Sequence, residues 1–255
     1  MGLMGWVGGA PVLAAGLADR VMEFPQWTSP PPTRAAQGDL EYPDWFEGTW
    51  RATSTLVEQV APLAPAVVTP GFEGNRQFLD QPIAFPVRFV RQSAPSLESP
   101  GRFFLLPSPV RPQPVVADRA FNGLHIAQAY LGESAVLGVR VNPQNPNEQV
   151  TELQGSSQLW SRVSDRATET PDPQTFLATE VSQQIFRSGR GSFLNIVETT
   201  TVYAYQIEAL GIEAEQYTAV YLSPQDPDYF KAGDRPVALY HYHLRLDPLD
   251  AIDNF

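Results

Sequence analysis

The sequence predicts a mainly antiparallel all-β protein, an up-and-down barrel with one short helix and an irregular N-terminal extension. Short segments rich in β-branched and aromatic residues recur along most of the chain, each bounded by glycine, proline or asparagine. The 25 prolines and 18 glycines interrupt helices and supply turns. Only one segment has the spacing of apolar residues that is typical of a helix. A β-sandwich is the alternative to a barrel.

The N-terminal part is expected to lie outside the barrel. Residues 1–18 carry no charge, and Gly16 and Ala18 stand at the spacing that signal peptidase prefers. We therefore predict a signal peptide over 1–18, with a buried or loosely held segment as the alternative. Three consecutive prolines within 19–40 predict a proline-rich spacer. Residues 41–248 are the predicted single barrel domain, and 249–255 a C-terminal tail.

The strands follow from the β-rich segments. We predict strands at 50–57, 86–91, 103–106, 136–141, 149–154, 158–166, 176–187, 193–207, 217–222 and 237–246. The segments 176–187 and 193–207 flank a Ser-Gly-Arg-Gly-Ser loop and form the longest predicted hairpin. Parallel strands would need crossover helices, so the strands are expected to pair in sequential antiparallel order. Barrels of about eight strands are filled with side chains or hold one small ligand.

The predicted helix spans residues 118–131, where apolar residues recur every three to four positions. Asp118 is a suitable N-cap, and Gly132 is a suitable stop. Asn122 and Gly123 could instead form a hairpin turn, which is the alternative for this segment.

Composition excludes several functional classes. The net charge of −11 and a pI near 4.7 oppose binding to nucleic acid or to anionic membrane surfaces. Without cysteine there is no disulfide, thiolate metal site or cysteine nucleophile. No apolar run is long enough to cross a bilayer as a helix. We therefore expect no nucleic-acid partner and, once the signal peptide is removed, no integral membrane protein.

One resemblance concerns the two ends of the predicted barrel. Residues 42–50 read YPDWFEGTW, and Gly48 and Trp50 resemble the G-x-W opening of the lipocalin and calycin barrels. In those barrels the tryptophan closes one end, and an arginine of the last strand stacks on it. Arg245 in YHYHLRL is the matching arginine. The resemblance implies a lipocalin-like barrel in which the first and last strands are neighbours.

A second resemblance covers residues 40–247. The strings DRAFNGLHIAQAYLG, VNPQNPN, ATETPD, NIVETTT and YLSPQDPDYF resemble a family of uncharacterised proteins of cyanobacteria and plant plastids. This resemblance implies export to the thylakoid lumen or periplasm. Some related cyanobacterial barrels handle bilin pigments, which makes a pigment or a lipid a possible ligand. No cofactor is predicted.

Candidate binding residues are mostly the aromatic side chains of strands expected to line the barrel. They are Trp50, Tyr203, Tyr205, Tyr240, Tyr242 and Arg245. His241 and His243 are two residues apart on a strand and share a face, as in a His-x-His metal pair. Because Tyr240 and Tyr242 are expected to face the interior, the histidines should point outward, and we predict no metal site.

Asp118, Arg119, Asn122 and His125 form a polar cluster on the predicted helix. Such a cluster is either the fully bonded underside of a lid or the rim of a binding site. No G-x-S-x-G motif or carboxylate pair with a diagnostic spacing is present, so no catalytic residue is proposed. Glu198 and the threonines around it would need hydrogen-bond partners if their face of the strand were buried.

Two functional hypotheses follow. The first is a non-enzymatic, exported, lipocalin-like barrel that binds an apolar or amphipathic small molecule such as a lipid or pigment. The second is a thylakoid-lumen interaction or assembly factor for a photosynthetic membrane complex, with a filled barrel and no ligand. An enzyme is a third and weaker hypothesis.

Overall fold

The computed structural model describes residues 16–67, 69, 71–92, 113–189 and 191–249. The predicted strand 103–106, most of the predicted signal peptide and all but the first residue of the predicted tail lie outside these residues. Within them the protein is mainly antiparallel β-structure with few helices, as the sequence predicts.

The helices and strands follow one another along the chain in the following order. They are α1 (Leu17–Met22), β1 (Arg34–Ala35), β2 (Glu41–Tyr42), β3 (Gly48–Val60), β4 (Pro82–Arg91), β5 (Val115–Ala117), α2 (Arg119–Leu131), β6 (Val136–Asn142), β7 (Asn145–Leu153), β8 (Ser157–Asp172), β9 (Thr175–Ser188), β10 (Gly191–Gln206), β11 (Gly211–Leu222), α3 (Tyr229–Ala232) and β12 (Ala238–Pro248). Short 3₁₀ turns occur at Asp44–Phe46, Glu73–Phe78 and Glu133–Ala135.

The strands form one strongly curled sheet in the order β2-β5-β4-β3-β12-β11-β10-β9-β8-β7-β6, with β1 paired to β8. Strands β6 to β12 pair with their neighbours in sequence, and β9 and β10 form the long hairpin predicted around the glycine loop. The first long strand, β3, pairs with the last, β12, as the lipocalin resemblance implies. Breaks in register in β8 and β12 are typical of bulges, which bend a sheet.

The sheet is open, and this differs from the predicted closed barrel. Among the described strands, no hydrogen-bonded ladder joins β2 to β6 at the two ends of the sheet. The strands β2 and β5 have only two and three residues, too few to extend the ladder around the barrel. Helix α2 spans the gap instead, packing on β4 on one side and on β6 and β7 on the other. The structure is therefore a half-barrel closed by a helix.

Helix α2 has the ends that the sequence predicts. The Asp118 carboxylate accepts a hydrogen bond from the Phe121 backbone N–H at 3.1 Å, which is an N-cap contact. Gly132 ends the helix with φ +90°, a region that favours glycine. The alternative of a hairpin turn at Asn122 and Gly123 is wrong. A methyl group on Gly123 would lie 2.7 Å from Gln149 Nε2, so this glycine allows the helix to lie close to β7.

The last residues of the predicted signal peptide and part of the predicted spacer pack against the outer, convex face of the sheet. Leu17 and Trp27 are buried, and α1 contacts β8 and β9. The Trp27 indole also lies under the guanidinium of Arg20, 4.0 Å from its carbon Cζ. The three-proline string could not reveal this contact, because the aromatic and charged residues around it provide the packing.

Candidate functional site

The inner, concave face of the half-barrel encloses a cavity of about 340 Å³ beneath α2. Its walls come from β2 to β5, β10 to β12 and one face of α2. The lining residues are Tyr42, Ala52, Ser54, Phe85, Val87, Phe89, Ala117, Asn122, Ile126, Tyr130, Tyr203, Gln216, Thr218, Tyr242, Leu244 and Leu246. Half of them are aliphatic or phenylalanine residues, and none of these described lining residues is charged.

Alternation along the strands places these side chains on the same face. Ser54 lies opposite Leu244 across the β3–β12 pair, and Tyr242 lies opposite Gln216 across the β11–β12 pair. In α2, Asn122, Ile126 and Tyr130 are four residues apart, so they share one face of the helix. The helix thus forms the roof of the cavity, and the sheet forms its floor.

Aromatic rings cluster along one part of the cavity wall. The rings of Tyr42 and Phe46 contact each other, and both contact Phe89 and Tyr203. The ring centroids in these five pairs are 4.8 to 6.5 Å apart. Burial raises the pKa of Tyr203 to about 12, so its hydroxyl stays protonated at neutral pH. The Tyr203 hydroxyl is therefore uncharged and can donate a hydrogen bond in this part of the cavity.

The polar groups of the cavity are neutral, and several are free. Tyr130 donates a hydrogen bond to Ser54 Oγ at 3.3 Å. The side chains of Gln216, Thr218 and Tyr242 make no hydrogen bond to any described residue. A small number of polar groups in an apolar pocket is the usual arrangement for orienting a small ligand.

Two of the six predicted binding residues, Tyr203 and Tyr242, line the cavity. Trp50 lies in the core beneath it, and its indole N–H donates to the Phe46 carbonyl at 2.8 Å. Gly48 has φ +137°, which supports the tight entry into β3 that the G-x-W motif indicates.

The remaining three predicted binding residues lie elsewhere. Tyr205 stacks on Trp45, with ring centroids 5.3 Å apart. Tyr240 packs in a separate cluster, where its hydroxyl accepts a hydrogen bond from Asn75 at 3.1 Å. Arg245 lies on the outer face of the sheet.

Arg245 does not stack on Trp50. In β12, Leu244 and Leu246 face the interior, so Arg245 between them points to the outer face, while Trp50 faces inward. Its guanidinium is about half exposed and pairs with Asp247 at 2.9 Å and Glu213 at 3.3 Å. The predicted contact fails because the pleat of the strand puts the two side chains on opposite faces.

The residues of the predicted polar cluster do not act together: Asp118 and Asn122 bind β4, whereas Arg119 binds carboxylates on the inner face. Asn122 bonds the backbone of Arg88 through both side-chain atoms, accepting from its N–H at 2.7 Å and donating to its C=O at 3.1 Å. Asp118 pairs with the Arg88 side chain at 2.6 Å. Both residues bind α2 to β4 at Arg88, just beyond the last β4 residue that pairs with β5. His125 bonds the Phe121 carbonyl within the helix at 2.9 Å.

Arg119 belongs to a second charged cluster on the inner face. It pairs with Asp39 at 2.8 Å and with Glu180 at 3.0 Å, and Arg166 also binds Glu180 at 2.7 Å. Burial alone would lower the pKa of Arg119, but the two carboxylates outweigh it and hold that pKa above its usual range. Burial would raise the pKa of Glu180, but Arg119 and Arg166 hold it below its usual range.

His241 and His243 point to the outer face, as predicted. Their ring nitrogens lie 2.7 and 3.0 Å from the two carboxylate oxygens of Glu215. The ring of His241 also stacks on Tyr217. Among the described residues, no group of three or more His, Asp or Glu side chains is arranged to hold a metal ion.

Sequence reasoning missed most of the cavity wall. Phe85, Val87 and Phe89 alternate in β4, a period of two that predicts one shared face. Asn122, Ile126 and Tyr130 recur every fourth residue in α2. Both signals were present in the sequence, but neither shows that the two faces meet.

The comparisons with known proteins give a family. A family model described as a domain of unknown function, DUF6816, matches residues 34–250, from the start of β1 to just beyond β12. No curated protein and no solved structure matches the chain. Over the described residues, we find no helix with the length and apolar character needed to cross a membrane. The whole curled sheet lies within the matched residues, and the chain belongs to the DUF6816 family.

Proposed function

We propose that this protein is a non-enzymatic binding protein that holds an apolar or amphipathic small molecule, such as a lipid or pigment, in the manner of a lipocalin. The observation that supports this proposal is the cavity of about 340 Å³ between α2 and the concave face. Its volume is within the range of about 300 to 1,000 Å³ that is usual for small-molecule pockets.

The lining favours a mainly apolar ligand. Phe85, Val87 and Leu246 provide apolar area, and transfer of such area out of water drives binding by about 25 cal/mol per Å². The free side-chain groups of Gln216, Thr218 and Tyr242 can fix the orientation of one polar group of the ligand. A charged group would find no partner among the described lining residues.

The roof provides a route of entry. Ile126 of α2 lines the cavity, yet 39% of its surface is exposed, so the cavity meets solvent beside the helix. Because α2 fills a gap that the sheet leaves open, a small displacement of the helix would widen this entrance without breaking any ladder between strands.

Export to the thylakoid lumen or periplasm is part of this proposal and is supported by the uncharged first 18 residues. Leu17 is buried, and its backbone N–H donates to Glu169 at 2.7 Å. Cleavage before Asp19 would remove Leu17, so the mature protein would lack this contact. Sequencing the N-terminus of the mature protein from its native host should give a start at or near Asp19. Recovery of intact Met1 from a cytoplasmic fraction would reject export.

The second candidate function is a lumenal interaction or assembly factor for a photosynthetic membrane complex. It is favoured by the exposure of two aromatic side chains, Phe230 at 91% and Phe193 at 57%. Exposed aromatic residues are common at protein interfaces. Under this proposal the cavity holds no lipid or pigment.

Mass spectrometry and an absorption spectrum of the protein purified from its native host distinguish the two proposals. We expect a co-purifying lipid or pigment for the wild type and much less for Ala117→Leu, which fills the cavity. Ala35→Leu is the matched control, because Ala35 is exposed on β1 and does not line the cavity. Absence of any bound molecule from the wild type would favour the interaction factor.

A further inference from the structure

A second cavity, of about 230 Å³, lies on the same concave face and is strongly polar. It is formed by β7 to β10 and by the first turn of α2. Its lining residues are Arg119, Pro146, Asn147, Gln149, Ser161, Val163, Glu180, Ser182 and Thr199. We refer to it as the polar cavity and to the one described above as the apolar cavity.

The two cavities lie side by side. Thr199 of the polar cavity is directly opposite Thr218 of the apolar cavity in the β10–β11 pair. Directly opposed side chains on one face of a sheet are about 5 Å apart. On the helix, Arg119 and Asn122 are one turn apart and border one cavity each. The two cavities therefore share a border, on the sheet and on the helix.

The charges in and around the polar cavity compensate one another, because Arg119 and Glu180 line it and Asp39 and Arg166 pair with them. Glu180 Oε1 accepts from Arg119 at 3.0 Å and from Arg166 at 2.7 Å, and Asp39 binds Arg119 at 2.8 Å. Two guanidinium groups thus face two carboxylates. An anionic group would have to displace a carboxylate from an arginine, and a cationic group would have to displace an arginine.

The remaining polar groups are neutral and available. The side chains of Gln149, Ser161 and Thr199 make no hydrogen bond to any described residue. Ser182 makes only a long contact of 3.4 Å to the Val197 carbonyl. An amide and several hydroxyls within a small cavity match a ligand that has several hydroxyl groups of its own.

We infer that the polar cavity is a headgroup subsite for an uncharged, polyhydroxylated group, and that the ligand is a neutral glycosyl amphiphile. Its chain lies in the apolar cavity and its sugar in the polar cavity. This inference rests on the proposed function and specifies its ligand class.

Three ligands with the same chain and different headgroups test the inference by isothermal titration calorimetry, below the concentrations at which they form micelles. Octyl glucoside should bind about tenfold more tightly than octanol, because the sugar gains hydrogen bonds worth about 1.4 kcal/mol in total. Octyl phosphate should bind more weakly than octyl glucoside. Equal or tighter binding of the phosphate would overturn the neutral headgroup.

The double variant Thr199→Val with Ser161→Ala locates the headgroup. It should reduce octyl glucoside to within about twofold of octanol and leave octanol unchanged. Thr53→Val, on the outer face of β3, is the control and should change neither affinity. Retention of the full glucoside advantage in the double variant would overturn the subsite.

Octanol binding distinguishes a failure of the proposed function from a failure of the headgroup inference. If octanol fails to bind the wild type, or binds Ala117→Leu equally well, then the apolar cavity is not a binding site and the proposed function itself is wrong. If octanol binds in the apolar cavity but the sugar adds no affinity, only the headgroup inference is wrong.

Discussion

A completely buried glutamate and a partly buried one, on adjacent strands, show how the two faces of the sheet differ. Glu198 of β10 points to the outer face, is completely buried and binds Arg20 through both carboxylate oxygens at 2.6 Å. Tyr221 and Thr200 donate the further hydrogen bonds that it needs, at 2.8 and 3.0 Å. Both carboxylate oxygens of Glu198 are thus hydrogen-bonded within the protein.

Glu180 of β9 points to the inner face and lies beside a cavity. It holds Arg119 and Arg166, yet the side chains of Gln149 and Thr199 near it have no protein partner among the described residues. The outer cluster is therefore a structural clamp that holds the N-terminal segment on the sheet. The inner face, in contrast, retains hydrogen-bonding capacity for a ligand.

Substitution of Glu198 should have a large effect on stability, matched only by the loss of Trp50. Glu198→Ala leaves the buried guanidinium of Arg20 without a countercharge and should lower the free energy of unfolding by about 3 to 5 kcal/mol in a urea titration. Glu213→Ala is the control, because Glu213 pairs with the exposed Arg245 and should cost less than about 1 kcal/mol. Similar losses for the two variants would show that the outer clamp does not hold the N-terminal segment.

On the inner face, Trp50→Ala should also cost about 3 to 5 kcal/mol, since it leaves a cavity in the core below the binding site. Trp45→Ala is the comparison. Its ring is half-buried and stacks on Phe46 and Tyr205, so its loss should cost about 1 to 2 kcal/mol. Equal effects in urea titrations would place the two tryptophans in equivalent environments and contradict the described core.

A smaller effect is expected from the pH dependence of the inner cluster. Because the pKa of Glu180 is lower in the folded protein than its usual value, its ionised form stabilises the fold at neutral pH. This stabilisation is lost as the pH falls below about 4.3 and through the folded pKa. Urea titrations between about pH 3 and 7 should show a shallower acid loss for Glu180→Gln than for the wild type. Parallel curves would show that Glu180 is not held by its arginines.

Local features were predictable from the sequence. The N-cap Asp118, the stop at Gly132 and the outward direction of His241 and His243 follow from helix capping and from the period of a strand. They depend on residues close together in sequence, so no knowledge of the tertiary structure was needed.

Features that depend on distant contacts were not predictable. The clamp joins Arg20 to a strand far away in sequence, and the proline-rich composition around it suggested a spacer. Sequence reasoning did indicate that a buried Glu198 would need partners, but it could not identify Arg20. The open sheet likewise results from the shortness of β2 and β5, and the pairing of Arg245 with Trp50 failed because register decides the face of each side chain.

A fluorescence titration with the neutral apolar dye N-phenyl-1-naphthylamine tests directly whether the apolar cavity binds a small molecule. We expect saturable binding to the wild type and to Ala35→Leu, and a loss of about tenfold or more in affinity for Ala117→Leu, which fills the apolar cavity. Circular dichroism must show that the three proteins are equally folded. Equal affinity of the two variants for the dye would show that the binding site lies outside the half-barrel.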